Sequence, residues 1–144
     1  MAEINQRFLW VMRILSAILL LAAGGIHMYL ALNGVGGILG VAFILNFVAG
    51  VVLAIGMVTL RGRLLQLASV LSLLFLIATL GALVLALTVG LFGITQTWDF
   101  TLVPQTVIVE SIGIVVLAIT TALVFRAPTS SQPRPNASKN RSRN

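Results

Sequence analysis

Apolar residues run along this chain in blocks too long for the core of a soluble domain. From Ile14 to Leu60, 47 consecutive residues contain no Asp, Glu, Lys or Arg. A helix rising about 1.5 Å per residue crosses a bilayer core in about 20 residues, so this block must cross twice and reverse once. The reversal falls at Asn33-Gly34-Val35-Gly36-Gly37, where an Asn that tolerates left-handed backbone is joined by three glycines. It predicts a first helix near residues 9–32 and a second near 37–60. Arg61-Gly62-Arg63 makes a short basic break, and a third helix is expected over about 64–90. A loop containing Trp98 and Asp99 follows. The fourth helix, about 103–125, opens near Pro104 and stops at Arg126, with Pro128 just beyond. The fold class is therefore all-α, a four-helix transmembrane bundle occupying residues 1–126.

Composition points to the same solvent. Of 144 residues 59% are hydrophobic, and only nine basic and three acidic side chains are charged. A soluble domain of this length carries roughly 36 charges, about a quarter of its residues. Twelve cannot cover a globule of this size. The absence of cysteine removes disulfides, thiolate metal sites, a cysteine nucleophile and a cysteine-linked lipid anchor.

The net charge of +6 invites a nucleic-acid reading, but the basic residues flank apolar runs and do not form a patch on a folded domain. With four spans, Arg7, Arg13, Arg61, Arg63, Arg126, Arg134, Lys139, Arg141 and Arg143 all fall on one side. The loops on the other side hold no Lys or Arg and a single acid, Asp99. The positive-inside rule then places both termini in the cytoplasm, in the cytoplasmic membrane of a bacterium. Trp10 and Trp98 stand near opposite interfaces. Arg7, Arg13 and Ile14–Ala22 also resemble the start of a secretory signal peptide, but the apolar run continues to Leu32 and Leu21-Ala22-Ala23 is a poor cleavage site. Residues 127–144, rich in Pro, Ser, Asn and basic side chains, are expected to be a disordered cytoplasmic tail.

Two segments echo each other. Leu20–Ile38 aligned on Leu76–Ile94 gives six identities in nineteen, among them Gly25/Gly81, Gly34/Gly90 and Gly37/Gly93. Helices one and three run the same way, so this is the pattern of a parallel two-helix repeat.

Inside hydrocarbon, helices associate through close packing and polar contacts, so small and polar residues become the informative ones. His27 is bracketed by Ala23, Gly24 and Ala31; Asn46 by Ala42, Ala49 and Gly50; Glu110 by Thr106 and Gly113. Helix three offers the small-residue stripe Ala78, Ala82, Ala86 and Gly90. These faces are expected to turn inward, gathering His27, Asn46 and Glu110 into an intramembrane polar cluster. Counted from the loop ends of their helices, His27 lies about 7–8 Å deep, Glu110 about 10 Å and Asn46 about 13–14 Å. His27 and Glu110 are thus at similar depth and able to pair. A carboxylate at the centre of a membrane helix costs about 2.5–3.5 kcal/mol on insertion scales, so Glu110 should be partnered or protonated.

Other chemistry finds little purchase. Bis-histidine haem ligation needs two histidines and the chain has one. A metal site needs more than His27 and Glu110. Gly34, Gly36 and Gly37 join two spans and do not follow a strand, so they form no phosphate loop. No base stands beside Ser16, Ser69, Ser72, Thr79, Ser111 or Thr120. No catalytic residue, metal or cofactor is expected.

GGIHMYL, the glycine turn and ILGVAFILNFVAGVVLA resemble a group of small four-helix membrane proteins of actinobacteria. That group carries G-x-x-H-L near the end of helix one and I-G-x-L-F-x-L-N in helix two. Gly24 and His27 match the first motif, with Met28 in place of Leu. Ile38, Gly40, Phe43, Leu45 and Asn46 match the second, with Ala42 in place of Leu. The resemblance covers residues 24–54 and implies no activity, but it links His27 with Asn46. A looser similarity to DoxX-like proteins rests on Arg13 and the Ala-Gly stretch that follows.

Three functions are consistent with these features. The first is a non-enzymatic accessory or scaffold subunit, embedded in lipid and contacting another membrane protein or a second copy of itself. The second is a small proton-coupled transporter using Glu110 and His27. The third is a redox subunit binding haem or quinone.

Overall fold

The computed structural model describes residues 2–127. It is a bundle of four helices: α1 (Ala2–Leu32), α2 (Gly37–Thr59), α3 (Gly62–Thr88) and α4 (Val103–Arg126). Each is long and apolar enough to cross a membrane, which makes the chain a multi-pass helical bundle. The helices run alternately up and down. One end of the bundle, here the loop end, carries the α1–α2 and α3–α4 connections. The other, the termini end, carries the α2–α3 connection. The tail beyond residue 127, with Arg134, Lys139, Arg141 and Arg143, lies outside the described residues.

The turn chemistry accounts for the boundaries. Gly34 and Gly37 adopt φ of +107° and +62°, a left-handed backbone that costs a β-carbon about 1–2 kcal/mol and costs glycine nothing. Their repeat counterparts Gly90 and Gly93 do the same, at +85° and +74°. The repeat therefore reports a shared way of leaving helices α1 and α3. It ends there: α2 begins at Gly37, whereas α4 waits until Val103. α1 starts seven residues earlier than its apolar pattern predicts, because Ala2–Phe8 is compatible with helix without being apolar.

Around the bundle α1 packs against α2 and α4, and α3 packs against α4, while the α2–α3 seam is the slightest. One large, fully buried apolar side chain comes from each helix: Leu20, Met57, Leu76 and Leu117. The α1–α2 hairpin is in register about Val35, so residues equally far from the turn meet. A β-carbon on Gly50 would stand 3.0 Å from the Leu20 carbonyl oxygen, and one on Gly24 3.3 Å from the Phe47 Cα. Gly113 of α4 accommodates the Leu76 side chain in the same way. These glycines replace the hydrophobic drive that helices lose in lipid with direct backbone contact.

The stripe on α3 divides. Ala86 is buried and Ala82 and Gly90 are half-buried, but Ala78 is exposed; Gly81, outside the stripe, is exposed too, and a β-carbon there would meet nothing. Four-residue spacing drifts around a helix of 3.6 residues per turn, so only the loop-end part of the stripe faces inward.

Candidate functional site

At the termini end α1 carries Arg13 directly opposite the last turn of α2. Its Nε donates to the Met57 carbonyl at 2.7 Å, and one terminal nitrogen donates to Val58 and Leu60 at 3.0 and 2.8 Å. Helix ends leave carbonyls without intrahelical donors, and a cation there also meets the negative end of the helix dipole. The guanidinium lies 5.0 Å from the Trp10 ring centroid, a cation–π distance. Arg13 is thus a capping residue as well as a topology signal. The hairpin register carries this information, since Arg13 and Met57 are equidistant from Val35. Arg7, Arg61, Arg63 and Arg126 are exposed at the same end.

One turn further in, the hydroxyls of Ser16 and Thr120 lie 2.9 Å apart between α1 and α4. Ser16 also reaches the Met12 carbonyl and Thr120 the Val116 carbonyl, each at 2.8 Å. One hydroxyl donates across the interface and the other back to its own helix, so both are satisfied at complete burial.

The loop end is built differently. A cavity of about 200 Å³ sits among all four helices and the α3–α4 connection. His27 enters it from α1, Asn46 and Phe43 from α2, Thr79 from α3, Thr106 from α4 and Gln96 from the loop. The remaining wall is apolar. The imidazole of His27 meets the Phe43 ring edge to face, with centroids 5.0 Å apart and planes at 78°. Its Nδ1 lies 2.8 Å from the Ala23 carbonyl oxygen. Asn46 presents an enclosed Oδ1 that accepts no hydrogen bond. The structure therefore brings His27 and Asn46 to one cavity. The Thr106 hydroxyl is spent on the Leu102 carbonyl at 2.8 Å.

Glu110 stands apart. It is completely buried, one helical turn below Thr106, and does not line the cavity. Thr79, which does line it, faces the carboxyl. The Thr79 hydroxyl nevertheless donates to the Leu76 carbonyl at 3.1 Å, and neither carboxyl oxygen has a hydrogen-bond partner. Among the described residues no hydrogen bond joins Glu110 to His27, whose Nδ1 is turned to its own helix. Similar depth along antiparallel helices did not bring the two groups into contact.

The roof of the cavity comes from the α3–α4 connection. Its Leu91 and Ile94 exchange backbone hydrogen bonds at 2.8 and 3.0 Å, and the Gln96 amide donates to the Ala86 carbonyl at 2.8 Å. Phe92 and Leu102 hold left-handed φ of +52° and +67°, a conformation rarely adopted by bulky side chains and one that stores strain. Phe92, Ile94 and Ala42 all line the cavity and are all exposed, so the wall is open where α2 meets the loop. Among the described residues no cluster of three His, Asp or Glu side chains is placed to hold a metal ion. Compared with protein-family models, curated proteins and solved structures, the chain matches none.

Proposed function

We propose that this chain is a non-enzymatic accessory or scaffold subunit of a bacterial cytoplasmic membrane, with both termini in the cytoplasm. The observation that carries the reading is how the buried polar groups are spent. Arg13 fastens α1 to the end of α2, and Ser16 with Thr120 fastens α1 to α4. These bonds stiffen a scaffold. Only 17% of the α2 and α3 spans is buried within the bundle, against 39% of α1. Two long helices therefore keep broad apolar faces outward, with Val41, Leu45, Val48 and Val52 exposed on α2 and Leu67, Leu71, Leu74 and Ile77 on α3, turned to lipid, to a partner or to a second copy. The clustering of Arg7, Arg61, Arg63 and Arg126 at one end supports the orientation. Affinity purification of the intact chain in mild detergent tests the reading: a stoichiometric membrane-protein partner is expected, and repeated recovery of the chain alone contradicts it.

A second reading, proton-coupled transport, is favoured by one observation, the completely buried Glu110 carboxyl without a hydrogen bond. An intramembrane acid is a functional residue by default. In proteoliposomes, transport through this group requires proton flux that Glu110→Gln abolishes. Equal flux in both proteins removes Glu110 from any mechanism.

A further inference from the structure

We infer that the loop-end cavity binds a small single-ring phenol, held through its hydroxyl by Nε2 of His27 and by the side-chain amide of Asn46. The inference goes beyond the accessory reading and does not depend on a protein partner.

The chemistry of His27 sets the polarity of the ligand. A backbone carbonyl only accepts hydrogen bonds, so the 2.8 Å contact with Ala23 requires Nδ1 to be the protonated nitrogen. The neutral ring then presents Nε2 as an acceptor, because the partner of one nitrogen fixes the state of the other. His27 lines the cavity, and the molecule that satisfies Nε2 must bring a donor. Asn46 adds the complement. The residue lines the cavity and its Oδ1 is enclosed without a partner, so its amide can bring the Nδ2 donor to a ligand there. A hydroxyl is the small group that donates to one partner and accepts from the other. A quinone carbonyl only accepts, so it leaves Nε2 without a partner.

Shape and wall select the rest. A dry apolar cavity of about 150 Å³ is enough to bind benzene. The 200 Å³ here admits one ring with a hydroxyl and a short alkyl group. Phe43, Phe92 and Phe100 contribute to the wall, and aromatic rings meet one another favourably edge to face or offset. Entry is provided where exposed Ala42, Phe92 and Ile94 form the rim, so a molecule dissolved in the outer part of a membrane reaches the cavity laterally.

The chain contains one histidine, so the full-length protein labelled with ¹⁵N-histidine gives a single pair of imidazole nitrogen signals in detergent micelles. Titration with 4-ethylphenol should move the unprotonated Nε2 resonance toward the protonated-type position, saturably, with Nδ1 little changed. Ethylbenzene and 4-ethylanisole, which lack the donor, should leave Nε2 in place, and 1-hexanol should act only at much higher concentration. Asn46→Leu should raise the half-saturating concentration up to about tenfold, the loss of one hydrogen bond. Ala82→Leu, which fills the cavity from α3, should abolish the response while circular dichroism shows the helices intact. The proposal is overturned by an Nε2 that is itself protonated in the free protein. It is equally overturned by a missing or unsaturable shift, by an equal response to ethylbenzene or to 2,3-dimethylbenzoquinone, or by a response that survives Ala82→Leu.

Discussion

Replacing Arg13 with Met separates its capping role from its role in setting topology. Met keeps an unbranched apolar stem beside α2 but removes three hydrogen bonds to the carbonyls of Met57, Val58 and Leu60. Hydrogen bonds from a charged donor contribute about 1.5–3 kcal/mol each in soluble proteins. Interhelical polar contacts in membranes average only about 0.6 kcal/mol, with a maximum of about 1.7. Three bonds from one side chain near the membrane surface therefore total about 2–3 kcal/mol, a 30- to 150-fold change in the folded-to-unfolded ratio. Arg13→Lys retains a cation at the helix end, worth about 0.3–1 kcal/mol, but loses the planar fork that spans three carbonyls. It should recover less than half of the deficit. The assay is reversible unfolding in mixed dodecylmaltoside–SDS micelles, followed by circular dichroism. Arg7 remains at the same end, so orientation should be unchanged, as cysteine accessibility in a chain that lacks native cysteine would verify. A loss below about 0.5 kcal/mol for Arg13→Met, or full rescue by Lys, would refute the capping account.

The other contacts give sharper local tests. Ser16→Ala and Thr120→Ala should show a coupling of about 0.5–1.5 kcal/mol in a double-mutant cycle, and strict additivity would deny the α1–α4 bond. Gly50→Val should cost about 1–3 kcal/mol in the same unfolding assay, because its branched side chain meets the Leu20 carbonyl and the Gly24 backbone, which cannot swing aside as a side chain can. Gly81→Ala, where a β-carbon meets nothing, should be neutral or stabilise by about 0.5–1 kcal/mol through helix propensity; a large loss there would show that this face is packed. Glu110→Met removes a buried carboxyl whose oxygens have no hydrogen bond, and should leave stability unchanged or raise it by about 1–3 kcal/mol. Destabilisation of similar size would mean that Glu110 has a structural partner.

What the sequence makes legible is what local physics determines. α2 and α4 begin at the positions expected of them, Gly37 and Val103, because glycine conformation and Pro104 act on the backbone where they stand. The apolar blocks specify how many helices form, since in lipid a helix must satisfy its own backbone, although α1 extends seven residues before its block. Features that depend on which faces meet are less legible. The α3 stripe suggested one inward face, yet Ala78 at its start is exposed; the composition of one helix does not record which neighbour stands beside it. His27 and Glu110 are matched in depth by sequence, yet no hydrogen bond joins them and only His27 lines the cavity. Arg13 shows a different gap. Charge count alone marks it as one more topological signal, and only the register of the hairpin about Val35 reveals that the end of α2 is its partner. The same register places Phe43 against His27, so the cavity wall on the α1–α2 side follows from turn position and helix geometry.

The proposed accessory role requires that the outward apolar faces of α2 and α3 meet another membrane protein. Single cysteines at Val52 and Leu74, both exposed, can carry a photoactivatable crosslinker in this otherwise cysteine-free chain and be activated in intact native membranes. The account predicts one adduct of defined mass that survives denaturation and contains a different membrane protein. Adducts with lipid alone from both faces would contradict it.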